Sequence, residues 1–105
     1  MKVKIQSSQV ELDRAIEAHI HRKLKLALSR VEPYITAISF SLSDVSDVKD
    51  GTATRCCLQI SIANLPALKV VDVQADLYCA IDRVIQKASR TMARKFFSTG
   101  IKPAY

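Results

Sequence analysis

LKVVDVQADLYCAIDRVIQKASRTMARKFF, residues 68–97, changes its hydrophobic period part-way, and the change sets the architecture. From Leu68 to Ala75 the period is two, as in a strand. Val71, Val73 and Ala75 read as inward, and Val70, Asp72 and Gln74 as outward. Beyond Asp76 the spacing becomes helical, with Ile81, Val84, Ile85, Ala88 and Met92 forming one apolar face. Arg83, Lys87, Arg90 and Arg94 fall at i, i+4, i+7 and i+11, a cationic stripe on another face of the same helix. A helix that packs with one side and presents four cations on another suits a polyanion, which points to a binding module rather than an enzyme.

Before this stretch the chain alternates between the same two periods. Val3 and Ile5 alternate with Lys2, Lys4 and Gln6, a short strand buried on one face. Leu12, Ile16, Ile20, Leu24, Ala27, Leu28 and Val31 then make a helical stripe. Ser8 or Gln9 lies near that helix's start, Glu11 and Asp13 suit its positive end, and Pro33 stops it. Ile38, Phe40 and Leu42 alternate with Ser39, Ser41 and Ser43 in a second strand. DVSDVKDGT, residues 44–52, reads as a turn-rich connector with Asp50-Gly51 at its tip. A third strand, Thr54 to Ala63, puts Cys56, Leu58, Ile60 and Ile62 on one face and Arg55, Cys57, Gln59 and Ser61 on the other. Asn64-Leu65-Pro66 is the next break.

The order is therefore β-α-β-β-β-α, an α+β domain. Three consecutive strands joined by short loops form an antiparallel meander, and both helices cover one face of a four-stranded sheet. At 105 residues, nearly half of them hydrophobic, the chain suits one domain, assigned to residues 1–97, with a loose tail at 98–105.

Sixteen Lys and Arg against ten Asp and Glu give a net charge of +6 and a pI near 9.5. From Arg83 onward there are six Lys or Arg and no acid. Phosphate backbones are the first partner of such a surface and an anionic membrane face the second. Arg83, Lys87, Arg90, Arg94 and Lys95 are the leading RNA-binding candidates, because Arg adds bidentate geometry and stacking to charge. Arg22, Lys23 and Lys25 on the first helix come next, their phases spread around it. If about six phosphates are engaged, the log–log salt slope is about −4 to −5.

Other chemistries find little support. Two glycines leave no Gly-rich phosphate loop, and neither G-x-S-x-G nor H-E-x-x-H occurs. His19 and His21 are two apart and do not share a helix face, so they make a poor metal pair; His19 reads as a core-boundary residue and His21 as solvated. Asp44, Asp47 and Asp50 read as turn-formers rather than a calcium loop. Cys56, Cys57 and Cys79 lack C-x-x-C spacing, and adjacent strand cysteines point to opposite faces. No catalytic residue, metal, cofactor or small-molecule substrate is expected. The start MKVKIQSSQVEL has no long apolar core of a signal peptide, and no run approaches the ~18 apolar residues of a membrane span, so the expectation is a reduced, cytoplasmic protein with no membrane partner.

Asp76-Leu77-Tyr78-Cys79-Ala80-Ile81-Asp82, in this topology, resembles the D-M-Y-x-A-I-D signature of the ribosome hibernation promoting factors, also known as ribosomal subunit interface or sigma-54 modulation proteins. Lys87 and Arg90 are in register with the family's Lys and Arg after it. Val3-x-Ile5, Gln9-Val10-Glu11-Leu12 and Lys23-Leu24 fit the family's start. The resemblance covers residues 1 to about 97 and is to a short form without the C-terminal dimerisation domain. It implies binding to the small ribosomal subunit and its rRNA in the tRNA and mRNA path, with translation suppressed while growth is slow, in stationary phase or under stress. It implies no catalytic group. Leu26 stands where the family has a second Lys, Asn64-Leu65-Pro66-Ala67 replaces a glycine-containing turn, and Cys79 replaces a frequent Ala. Two other readings stay open, the first of them motivated by the altered first helix. One is a relative that binds another structured RNA. The other is a protein interaction module using an open sheet face with Ser39, Ser41, Cys57, Gln59, Ser61 and Val70.

Overall fold

The computed structural model describes residues 2–8, 11–47 and 51–99, with side chains at all of these except 46–47, 51–52 and 96–99. Its elements are β1 (Lys2–Ser8), α1 (Arg14–Leu28), β2 (Ile35–Asp47), β3 (Gly51–Ile62), β4 (Leu68–Gln74) and α2 (Leu77–Thr99), with a 3₁₀ turn at Glu32–Tyr34. The sheet order is β1-β2-β3-β4. β1 pairs parallel to β2 across the α1 crossover, and β2, β3 and β4 form the antiparallel meander. This is the α+β, β-α-β-β-β-α architecture that the alternation of periods implies.

One core holds it together. Ile16, Ile20, Leu24 and Leu28 of α1 and Ala80, Ile81, Val84, Ile85, Ala88 and Met92 of α2 are buried against Ile38, Phe40, Leu42, Cys56, Leu58, Ile60 and Leu68 of the sheet. All these strand residues lie on one face, so both helices cover that face and the other is open. The inter-helix pairs His19–Asp82 and Ser89–Ala27 advance in the same sense along both helices, so α1 and α2 run parallel. Phe40 has no exposed surface at the centre of the core; truncation of such a residue to Ala typically costs about 3–5 kcal/mol.

Three local readings are corrected. First, the phase of β4 is inverted. Leu68, Val70, Asp72 and Gln74 lie opposite Ile60, Leu58, Cys56 and Thr54. Directly paired residues share a face, so they point to the helices, whereas Val71 and Val73 lie on the open face. Leu68, buried, fixes this phase, and an acid is tolerated at Asp72 because α2 supplies cations to it. Second, much of the 44–52 connector is strand: the ladder runs on through Asp44–Thr54, Val45–Ala53, Ser46–Thr52 and Asp47–Gly51. Continuous pairing overrides the local turn composition there; Asp50 lies outside the described residues. Third, β1 runs to Ser8 and the cap of α1 is Asp13, whose carboxylate accepts the Ile16 amide at 2.8 Å; Gln9 lies outside the described residues.

The β3–β4 turn takes its left-handed residue at Asn64, φ 65°, a conformation that Asn tolerates better than other non-glycine residues. The tail from 100 to 105 lies outside the described residues, and α2 is helical through Thr99.

Candidate nucleic-acid interface

The cationic stripe depends on how α2 is held. The Asp76 carboxylate accepts the Cys79 amide at 2.9 Å and so caps the helix. The buried residues from Ala80 to Met92 then fix its rotation. Arg83, Lys87, Arg90 and Arg94 are thereby left on the outer flank, tilted towards the β4 edge.

The four are not equivalent. Lys87 donates from Nζ to Asp72 Oδ1 at 2.8 Å and to the Val71 carbonyl at 3.2 Å. Arg83 Nε lies 4.0 Å from the other oxygen of the same carboxylate. Asp72 is only 10% exposed. Burial alone would raise its pKa, but hydrogen bonds from Lys87 and Gln74 and the charges of Lys87 and Arg83 outweigh that and hold it below the ordinary carboxylate range. The first half of the stripe is thus partly committed to the fold.

Arg90 and Arg94 are exposed and have no acidic partner among the described residues. Arg94 donates to Thr91 Oγ1, at 3.3 Å, whose hydroxyl in turn donates to the Lys87 carbonyl at 2.9 Å. With Val70, Lys87, Thr91 and Ala93 these two arginines line an open groove of about 630 Å³ beside the β4 edge. Lys95, further along, donates to the Pro66 carbonyl at 3.4 Å. The groove is open and basic, a shape that admits a polyanion backbone rather than enclosing a small molecule.

The α1 cations occupy the same helix layer. Arg22 and Lys25 are exposed, and Lys23 is half-buried between His19 and Ala27 on the flank that meets α2. At that seam His19 Nε2 pairs with Asp82 Oδ1 at 2.8 Å, Arg22 Nη2 donates to His19 Nδ1 at 3.3 Å, and the rings of His19 and Tyr78 meet edge to face at 4.9 Å. Asp82 of the helical signature therefore ties α2 to α1. Leu26 is 70% exposed on the same helix.

Sequence reasoning missed the pairs Asp72–Lys87 and His19–Asp82, which join residues far apart in the chain. Anchoring the β4 alternation on Leu68 would have shown Asp72 facing α2. The buried Cys56 lies opposite Asp72 in the sheet; burial, aided by that negative charge, pushes its thiol up to about 12. Among the described residues no cluster of three His, Cys, Asp or Glu could hold a metal ion, and no helix is long and apolar enough to cross a membrane.

A family model described as Sigma 54 modulation protein / S30EA ribosomal protein matches residues 3–95. The chain belongs to this family. Its fold is similar to that of the N-terminal domain of Protein Y from Thermus thermophilus, with 23% identity and a TM-score of 0.73 over 90% of this chain and 98% of that one. It is also similar to a ribosomal subunit interface protein from Coxiella burnetii, with 12% identity and a TM-score of 0.78 over 90% of this chain and 97% of that one. At these identities the likeness establishes the fold. No curated protein matches the chain in sequence. The matched residues take in α1, β2, β3 and β4 and most of β1 and α2, so the basic layer described above lies within the match.

Proposed function

We propose that this chain is a cytoplasmic ribosome hibernation factor. It binds the small ribosomal subunit through rRNA in the tRNA and mRNA path and suppresses translation when growth is slow. The observation that carries this reading is the α2 flank, where Arg90 and Arg94 stand exposed beside an open groove on a helix fixed by the core. Family membership supplies the ribosomal context. The action is steric and electrostatic: cations meet phosphates, the bulk of the domain fills the path, and no bond is made or broken. Arg22, Lys23, Lys25, Arg83, Lys87, Arg90, Arg94 and Lys95 are the proposed contacts. Arg90 and Arg94 lead, since Lys87 and Arg83 share the Asp72 carboxylate.

The test is sucrose-gradient co-sedimentation with separated ribosomal subunits at low and moderate salt. The proposal expects migration with the small subunit that weakens as salt rises. Migration with neither subunit at low salt would overturn it. The exposed Leu26, where the family has a Lys, favours one second reading, a relative retargeted to another structured RNA. Competition by bulk RNA but not by small subunits would select that reading.

A further inference from the structure

Among the described residues no helix covers the sheet's other face, and four exposed cations stand on it. The register aligns four rows across the strands: Lys2–Ala37–Ser61, Lys4–Ser39–Gln59–Lys69, Gln6–Ser41–Cys57–Val71 and Ser8–Ser43–Arg55–Val73. Lys2, Lys4, Arg55 and Lys69 are all exposed, and none of them shares a row with an acid. Asp72, the acid of β4, points the other way, into the helix layer. At about 4.8 Å per strand, Lys4 and Lys69 stand roughly 14 Å apart on opposite edges of the sheet, and Arg55 lies on β3 two rows further along.

The space between the cations is filled by small polar groups. Ser8, Ser39, Ser41, Ser43 and Ser61 with Gln6 and Gln59 offer hydroxyl and amide donors at the level of the sheet, the groups that position a phosphate–sugar backbone. The rows contain no aromatic residue, so base stacking, the usual device of sequence-tolerant single-strand platforms, is absent from them. The apolar content, Ala37, Cys57, Val71 and Val73, is too small and too interrupted to seat a protein partner by burial.

We propose that this open face is a second RNA-backbone surface, so that the chain binds two RNA segments at once, one on the groove flank of α2 and one on the sheet. A domain cationic on both broad sides and held between two RNA walls has more contacts than one resting on a single wall, and its occupancy is correspondingly more salt-sensitive. The inference extends the RNA-binding reading of α2 but uses different residues, and the two fail separately.

The experiment titrates a fluorescent twelve-nucleotide oligouridylate, at low salt, onto the wild-type chain, onto Arg90→Glu with Arg94→Glu, onto Lys4→Gln with Arg55→Gln and Lys69→Gln, and onto the five-fold variant. Each is checked for an unchanged melting temperature, and Lys69→Gln alone, at an exposed edge position, replaces the triple if that variant melts early. The proposal expects two oligonucleotides per wild-type chain, one for either face variant and none for the combination. It also expects the sheet triple to flatten the single-strand salt slope by about 2, from three contacts at ~0.7 each. One oligonucleotide per chain, lost with the arginine pair and untouched by the sheet triple, overturns the second surface and leaves the helix reading intact. Binding lost with the sheet triple and untouched by the arginine pair keeps the sheet surface and overturns the helix reading. No binding to the wild-type chain overturns both.

Discussion

On α2, the two ends of one evenly spaced stripe do different things. Arg83 and Lys87 face the Asp72 carboxylate of β4, whereas Arg90 and Arg94, one and two turns on, face solvent beside a groove. Sequence spacing makes the four equal; a single acid, arriving from another element, divides them into a pair that holds the helix to the sheet edge and a pair left exposed, which we propose meets the partner. Charge on a helix face is most available to a partner where the fold does not consume it.

The sharpest way to break this comparison is to reverse the outward pair. Arg90→Glu with Arg94→Glu is expected to weaken ribosome binding about 100-fold, from two charge-assisted contacts at about 1.5 kcal/mol each. The urea midpoint should stay within error of wild type. A midpoint that falls with the affinity would mean that these arginines, too, belong to the fold. The inward pair should give the opposite pattern. Lys87→Glu sets a carboxylate against Asp72 and leaves the Val71 carbonyl without its donor, and is expected to cost about 1–2 kcal/mol in urea unfolding. That figure is modest because Lys87 is 49% exposed. An unchanged midpoint would show that Lys87 is as free as Arg90.

The smallest effect is in acid. The carboxyl of Asp72 is held below its ordinary range in the folded chain, so over that interval the unfolded chain binds more protons and stability rises with pH. The contribution is complete above the unfolded carboxylate value near 4 and is lost as pH falls through the folded value. Asp72→Asn should remove this part of the acid limb, measured as melting temperature between pH 5 and 2, relative to wild type. It should also release Lys87 and Arg83 and raise affinity for RNA a few-fold. An identical acid limb in both proteins would remove Asp72 as the anchor.

Much of this was legible in the chain. The change of period after Asp76, the alternation in β2 and β3, and the α1 stripe from Ile16 to Leu28 fix the element order, because each depends on neighbours in sequence. The stripe on α2 was legible for the same reason. What depends on pairing across the sheet was not. In β4, Val70, Val71 and Val73 allow either phase, and the ladder to β3 chooses the one that turns Asp72 inward. In the β2–β3 hairpin, acids and serines that suggest a turn are held in strand by the continuing ladder. The open-face cations went unread as a group because Lys4, Arg55 and Lys69 come from three strands and meet only through the register.

The central claim is that the outward arginines of α2 carry the partner's phosphates. The most direct test is the salt dependence of small-subunit binding by the wild-type chain and by the Arg90→Glu, Arg94→Glu pair. The account predicts a steep wild-type log–log slope that becomes shallower by about 1.4–1.8 in the variant, two phosphate contacts at ~0.7–0.9 each. Equal slopes, with equal affinity, would contradict it.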